Sequence, residues 1–223
     1  MLRRDHYAID GGVAVVTGAA GGIGSAIAER LARQGSNLVL VDRDKEGLAV
    51  GAGAVRTRRP DREVSVHAID LTEKDAALEI AEQAIDAHGR VTLVVNNAGV
   101  ALAGRFEQVS MDDVDWLLSI NLRGVLAVTS AFLPHLDRGA HITNMSSLFG
   151  LIAPIGNATY SASKFGVRGF SLALREELKP RGIGVTAVHP GGSARASPGT
   201  LGVAWRSARR SGRPAWRSST SSS

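Results

Sequence analysis

A chain of 223 residues is long enough to bury a substantial core and fits one domain, with no linker in roughly its first 190 residues. It holds no cysteine, which excludes disulfide frameworks and thiolate metal sites. Its formal net charge of +5 belongs to the end of the chain: residues 193–223 carry six arginines and no acid, and the remainder has 20 basic residues against 21 acidic ones, so the domain-wide basic footprint of a nucleic-acid partner is absent.

The opening Met1-Leu2-Arg3-Arg4-Asp5-His6 lacks the apolar core of a signal peptide, and no uninterrupted apolar run reaches the roughly 18 residues that span a bilayer. A cytoplasmic protein with no membrane partner is the expectation. Val13-Ala14-Val15-Val16 is short, continuous and apolar, the pattern of a strand buried on both faces of a parallel sheet. Thr17-Gly18-Ala19-Ala20-Gly21-Gly22-Ile23-Gly24 follows at once, and Ile23, Ala26, Ile27, Leu31 and Ala32 then recur at helical spacing up to Gly35. Strand, glycine turn and helix in that order point to a dinucleotide site. Small residues let the backbone approach a pyrophosphate, and the helix N-terminus favours its charge.

Leu38 to Val41 reads as a second strand ended by Asp42. An acid about 20 residues beyond the glycine turn can accept both ribose hydroxyls of NAD and repels the extra phosphate of NADP. Arg43 keeps NADP open, because a guanidinium there can pair with that phosphate; its plainer reading is a solvated charge opening the next helix. Lys45 to Arg58 reads as a poor helix with three glycines, and Val64 to Ile69 as a third strand ending in Asp70-Leu71. Asp70 suits an N-cap for a helix starting near Thr72. Ala76 to Ala87 is helical, Val91 to Val95 is a fourth strand, and Asn96-Asn97-Ala98-Gly99 forms a turn after it. Ser110 begins a long helix containing Asn121. His141 to Ser147 is a fifth strand, Ala158 to Lys179 a helix, and Val185 to Val188 a sixth strand before His189-Pro190-Gly191-Gly192. Between them, Leu148 to Ile155 is an apolar loop expected to line a pocket for an apolar alcohol or ketone. His135, His141 and His189 fit no metal-ligand spacing, and no metal is expected.

Tyr160 and Lys164 stand four residues apart, on one face of their helix. A cation near a phenol stabilises the phenolate and lowers its pKa from about 10 toward working pH, which makes a general acid or base. Alone this pair is no more than two residues of a solvated helix. With Ser147 upstream of it, the glycine turn, Asn96-Asn97-Ala98-Gly99 and Asn121, the chain closely resembles the short-chain dehydrogenase/reductase family from about Val13 to Gly192.

That resemblance implies an α/β fold: a Rossmann-like, doubly wound parallel sheet in three α/β/α layers, with about six strands and the last family strand missing. It implies an NAD(P)-dependent oxidoreductase moving a hydride between a secondary alcohol or ketone and nicotinamide. In that family's terms the catalytic residues are Asn121, Ser147, Tyr160 and Lys164, with Ser146 the structural alternate to Ser147. Asn121 distorts its helix and holds a water beside the lysine. Cofactor contacts fall on Gly18, Gly22, Ile23, Gly24, Asp42, Arg43, Asp70, Leu71, Asn97, Ala98, Gly99, Tyr160, Lys164, Pro190 and Gly191, with Asp70 also at the adenine edge. NAD is preferred on Asp42 and NADP remains possible on Arg43. The helices Ser110 to Pro134 and Ala158 to Lys179 form the family's dimer interface, implying a homodimer or tetramer. Residues 1–192 are then one catalytic domain. Residues 193–223, with nine serines, six arginines and no acid, have the composition of a disordered tail without strand or helix pattern. The competing expectation is a catalytically silent relative that binds nucleotide or dimerises.

Overall fold

The computed structural model describes residues 9–191 and the backbone of 204–207. Alternation along the strands builds the core. In β1 (Val13–Thr17), Val13 and Val15 face one side while Ala14 and Val16 face the other, as successive side chains of a strand must. The same split divides β2 (Asn37–Asp42), where Val39 and Val41 oppose Leu38 and Leu40. Because both faces are apolar, both must be covered by helices.

One face is covered by α1 (Gly22–Arg33) and α2 (Lys45–Arg58), which contribute Ala28, Leu31, Leu48 and Val55. Three further helices contribute to the other: α3 (Ala76–His88), α5 (Val125–Phe132) and α6 (Ala158–Leu178), with Ile80, Phe132 and Leu174 buried there. Between α3 and α5 lies α4 (Met111–Leu118). With β3 (Val64–Ala68), β4 (Leu93–Asn96), β6 (His141–Met145) and β7 (Gly184–Val188), the main sheet is parallel throughout and ordered β3-β2-β1-β4-β6-β7. The chain therefore crosses from β3, at one edge, to β4 beside β1. That reversal opens a crevice at the carboxyl ends of β1 and β4, where ligands bind in open α/β sheets.

The three-layer, doubly wound α/β fold expected from the sequence is observed, with local corrections. Asp70 does not cap a helix near Thr72: α3 begins at Ala76, where the Ala76 to Ala87 reading placed it, and Asp70 accepts from the Thr72 amide and hydroxyl, at 2.9 and 2.8 Å, in a turn. The poor helix at Lys45 is complete, and its glycine Gly47 donates its amide to the capping Asp44 carboxylate at 3.0 Å. From Met111 to His135 the chain is helical for 25 residues and, by averaged hydropathy, long and apolar enough to cross a bilayer. Counting uninterrupted apolar residues missed this because Asn121 and Arg123 break the run. Leu117, Val128 and Phe132 are fully buried, so this stretch serves as a core helix.

A short strand absent from the sequence reading, β5 (Val100–Ala103), leaves the Asn97-Gly99 turn and pairs in parallel with β8 (Ala204–Ser207). The tail expected to lack strands thus contains one. Its four residues alternate too briefly to register as a pattern, and only a partner edge makes them a strand. The rest of the expected disorder falls outside the described residues.

Candidate active site

The carboxyl ends of β1, β2, β3, β4, β6 and β7 border one cavity of about 330 Å³. At its β1 end Gly18 has φ +67°, a conformation open to glycine, and a Cβ there would lie 2.9 Å from Ala98 Cα and from Asn97 Nδ2. The turn is therefore pressed against the β4 turn. Asn97 pins it in place: its Nδ2 donates to the carbonyls of Thr17 and Gly18 at 3.0 and 3.1 Å, while the Asn97 and Ala98 amides both reach Thr17 Oγ1 at 3.0 Å. Asn96 faces the other way and ties β4 to β6 through Asn144 at 2.8 Å.

At the end of β2, one Asp42 oxygen accepts from the Ala20 amide at 3.0 Å and the other from Asp44 at 3.1 Å. The carboxylate is fixed in orientation, with lone pairs left toward the cavity it lines. Arg43 Nη1 lies 4.0 Å from Asp70 Oδ2, so its nearest charge is an acid of this chain. Leu71, Pro190 and Gly191 also line the cavity, as do Gly18, Ile23, Asp42, Arg43, Asp70, Asn97, Ala98, Gly99, Ser147, Tyr160 and Lys164. Gly22 and Gly24 do not; both belong to the first turn of α1 beneath the glycine turn.

The opposite end gathers the polar residues of β6 and α6. Ser147 Oγ accepts from the Phe149 amide at 3.1 Å and is hydrogen-bonded to Tyr160. Ser146 and Ser147 both line the cavity, but the buried Ser146 hydroxyl donates to the Lys164 carbonyl at 2.9 Å, a structural bond that leaves Ser147 as the serine with a proton to offer the site. Lys164 is 4% exposed, donates to the Met145 carbonyl at 3.0 Å and lies 5.8 Å from the Tyr160 ring centroid. Asn121 is fully buried in a π-helical segment, Ser119–Gly124, that interrupts the long helix. Its side chain mimics a strand partner for Val100, accepting from the amide at 2.8 Å and donating to the carbonyl at 2.9 Å. A Cβ on Gly99 would lie 3.3 Å from Asn121 Oδ1 and 3.4 Å from Lys164 Nζ, so the amide and the ammonium converge on that glycine.

The electrostatics correct one expectation. Burial raises the Tyr160 phenol above its ordinary 10.0, with the Ser147 hydrogen bond opposing; Lys164 is not among the causes. Burial also pushes the Lys164 ammonium down to about 8 from 10.5. The lysine therefore releases its proton more readily than an ordinary ammonium, while near neutrality it still carries most of its charge. The loop Leu148 to Ile155 is corrected too: only Leu148 and Phe149 line the cavity, and Ile155 is 91% exposed. Phe149 meets Tyr160 edge-on, with centroids 6.0 Å apart.

The chain as a whole has counterparts among known proteins. The sequence profile of short chain dehydrogenase matches residues 12–197. The chain belongs to the short-chain dehydrogenase family. It is 40% identical over 187 residues to SadH of Mycobacterium tuberculosis, covering 82% of this chain and 67% of SadH. With the 3-oxoacyl-[acyl-carrier-protein] reductase FabG of Thermotoga maritima it shares 32% identity over 185 residues, 82% of this chain and 74% of FabG. A short chain dehydrogenase/reductase from Burkholderia phymatum, solved in complex with NAD, superposes with a TM-score of 0.78 at 33% identity, covering 82% of this chain and 66% of that one. The chain thus spans about two thirds of the length of SadH and of the Burkholderia protein.

Within this family frame, sequence reasoning missed Gly21, Val41, Ile69, Val100, Ala101, Ile120, Met145 and Asn157 as cavity residues. Those at Val100 and Ala101 follow from β5, which had no signal of its own. Lys164 gives a prediction independent of activity. Its folded pKa of about 8 lies below the ordinary 10.5, so between those values the unfolded chain holds a proton the folded chain has released, and stability rises with pH. Lys164→Met removes that cost, less about 1 kcal/mol for the lost bond to Met145. Urea melts should find the variant more stable near pH 7 by about 1–2 kcal/mol, with the gain shrinking toward pH 10. A gain that is flat with pH would contradict the lysine's depressed pKa.

Proposed function

We propose that this chain catalyses reversible hydride transfer between a nicotinamide dinucleotide and a secondary alcohol or ketone, with NAD preferred over NADP. The observation that carries the reading is one cavity bordered at one end by the glycine turn and Asp42 and at the other by Ser147, Tyr160 and Lys164. The residues fit the dinucleotide: at Gly18 and Gly24 a Cβ would overlap neighbouring backbone, leaving the turn bare for close approach of a pyrophosphate. Bound nicotinamide supplies the hydride acceptor or donor at its C4.

Everything else falls to the protein. Asp42, oriented by two amides, accepts the adenosine ribose hydroxyls. Arg43 has the Asp70 carboxylate 4.0 Å away, an acid within this chain that competes with a 2′-phosphate for its charge. Ser147 hydrogen-bonds the substrate oxygen, Tyr160 exchanges the hydroxyl proton, and Lys164 reaches the nicotinamide ribose. Asn121 holds the lysine end of the proton path. The apolar faces of Leu148 and Phe149 favour an apolar substrate. The cytoplasm is the compartment this reading assigns. Leu126, Phe165 and Leu172, exposed on α5 and α6, suit a homodimer through those helices. A silent nucleotide-binding role is not favoured, because the full set of catalytic residue types is retained.

Thermal melts with NADH and with NADPH test the cofactor half. Cofactor at about a hundred times its dissociation constant adds roughly 2.7 kcal/mol to the folded state, and NADH should raise the melting temperature more than NADPH. Asp42→Ala should erase that preference. A larger shift with NADPH would overturn the assignment of NAD. Reduction of a ketone panel with NADH tests the chemistry.

A further inference from the structure

Past the end of the β6–β7 ladder, whose last pair is Met145 with Val188, the two segments stay joined by three more bonds. Two are backbone: the Ser146 amide donates to Val188 at 2.8 Å and the Leu148 amide to Pro190 at 2.9 Å. Between them the third comes from a side chain, His189, whose Nδ1 lies 3.0 Å from the Ser147 carbonyl oxygen. A carbonyl oxygen only accepts, so Nδ1 carries the proton and the imidazole donates. Ser147 is held at both ends: its carbonyl by His189 and by the Gly150 amide at 2.9 Å, and its hydroxyl by the Phe149 amide at 3.1 Å. Its backbone is extended, at φ −164° and ψ 165°, a conformation open to any residue. Neighbours therefore set the orientation of this serine, and His189 is the side chain that holds its carbonyl.

Resting on the hydride-transfer reading, we propose that His189 is a positioning residue: its Nδ1–H bond to the Ser147 carbonyl sets the serine hydroxyl toward Tyr160 and the substrate oxygen. His189 does not line the cavity, whereas the adjoining Pro190 does. It acts through Ser147 and touches no reacting atom. A displacement of about 1 Å in such a group costs about a hundredfold in rate.

The test uses the full chain with NAD and cyclohexanol as probe. His189→Phe keeps the ring and loses the donor; His189→Asn returns an N–H close to the same place. His189→Phe should lower kcat about ten- to a hundredfold while leaving the NADH-induced melting shift unchanged, and His189→Asn should restore most of the loss. In a Ser147→Ala background His189→Phe should cost little more, since the group it positions is gone. Full kcat in His189→Phe, an Asn variant as poor as the Phe variant, or additive losses in the double variant would each overturn the proposal. Nitrogen NMR of the wild-type imidazole reads the bond without turnover: a protonated, slowly exchanging Nδ1 supports it, and a bare Nδ1 refutes it. A wild type that holds this proton yet oxidises no alcohol in a panel would locate the failure in the hydride-transfer reading.

Discussion

Tyr160→Phe should lower turnover by about two to four orders of magnitude, the usual loss when a general acid or base is removed, and leave cofactor binding intact. The ring remains: Phe keeps the edge-on contact with Phe149 and the proximity of Lys164 Nζ. What goes is the hydroxyl and its bond to Ser147, whose own hydroxyl still has the Phe149 amide as a partner. Stability should therefore change by no more than about 1.5 kcal/mol. In the wild type, burial holds the phenol above its ordinary pKa of 10.0, so near neutrality it carries the proton that ketone reduction consumes. Alcohol oxidation requires that proton to leave first, and its rate should rise with pH. Paired rate and melting measurements decide the matter: turnover in the phenylalanine variant within tenfold of the wild type would remove Tyr160 from the chemistry.

Gly24→Ala should abolish the stabilisation by NADH and lower the melting temperature even without cofactor. A Cβ at Gly24 would overlap the Gly18 carbonyl and lie 2.6 Å from Asn97 Nδ2 and 2.8 Å from the Gly18 carbonyl carbon. Two of these atoms are backbone, in a turn whose φ of +67° at Gly18 and whose bonds to Asn97 leave little room to retreat. Overpacking of this kind costs about 1–3 kcal/mol, and whatever relief the turn finds moves the surface on which the pyrophosphate rests. Gly53→Ala, in α2 with nothing within 4 Å of its Cβ, is the matched control. It should stabilise the chain by about 0.5–1 kcal/mol through helix propensity. A Gly24→Ala protein that melts and binds NADH like the wild type would show that the tight helix–turn packing is not what forms the cofactor site.

Patterns within one segment were legible in the sequence. Runs such as Val13 to Val16 announced strands buried on both faces, because continuous apolar residues in so short a stretch need cover on each side. Tyr160 and Lys164 announced a shared helical face, and Asp42 a strand end, because each depends on local periodicity. Asn121 was legible through its company alone, which implied a distorted helix there; an asparagine within an apolar helix carries by itself no sign of the π-helical segment it occupies or of its pairing with Val100 across 21 residues.

The remainder was decided by partners distant in the chain. Only the parallel register sets six strand ends beside one cavity and shows which part of the Leu148 to Ile155 loop reaches it. Burial, a property of the packed molecule, reversed the expected direction at Tyr160 by raising its phenol, and lowered the Lys164 ammonium to about 8. The pairing of β5 with β8 and the bond from His189 to Ser147 likewise join segments that are 104 and 42 residues apart, between Val100 and Ala204 and between Ser147 and His189. The sequence by itself determined which residues could form strands, helices and a proton-transferring pair, since those depend on neighbours along the chain. Tertiary structure decided which of them meet and how charged they are, because contact and desolvation exist only once the chain has closed on itself.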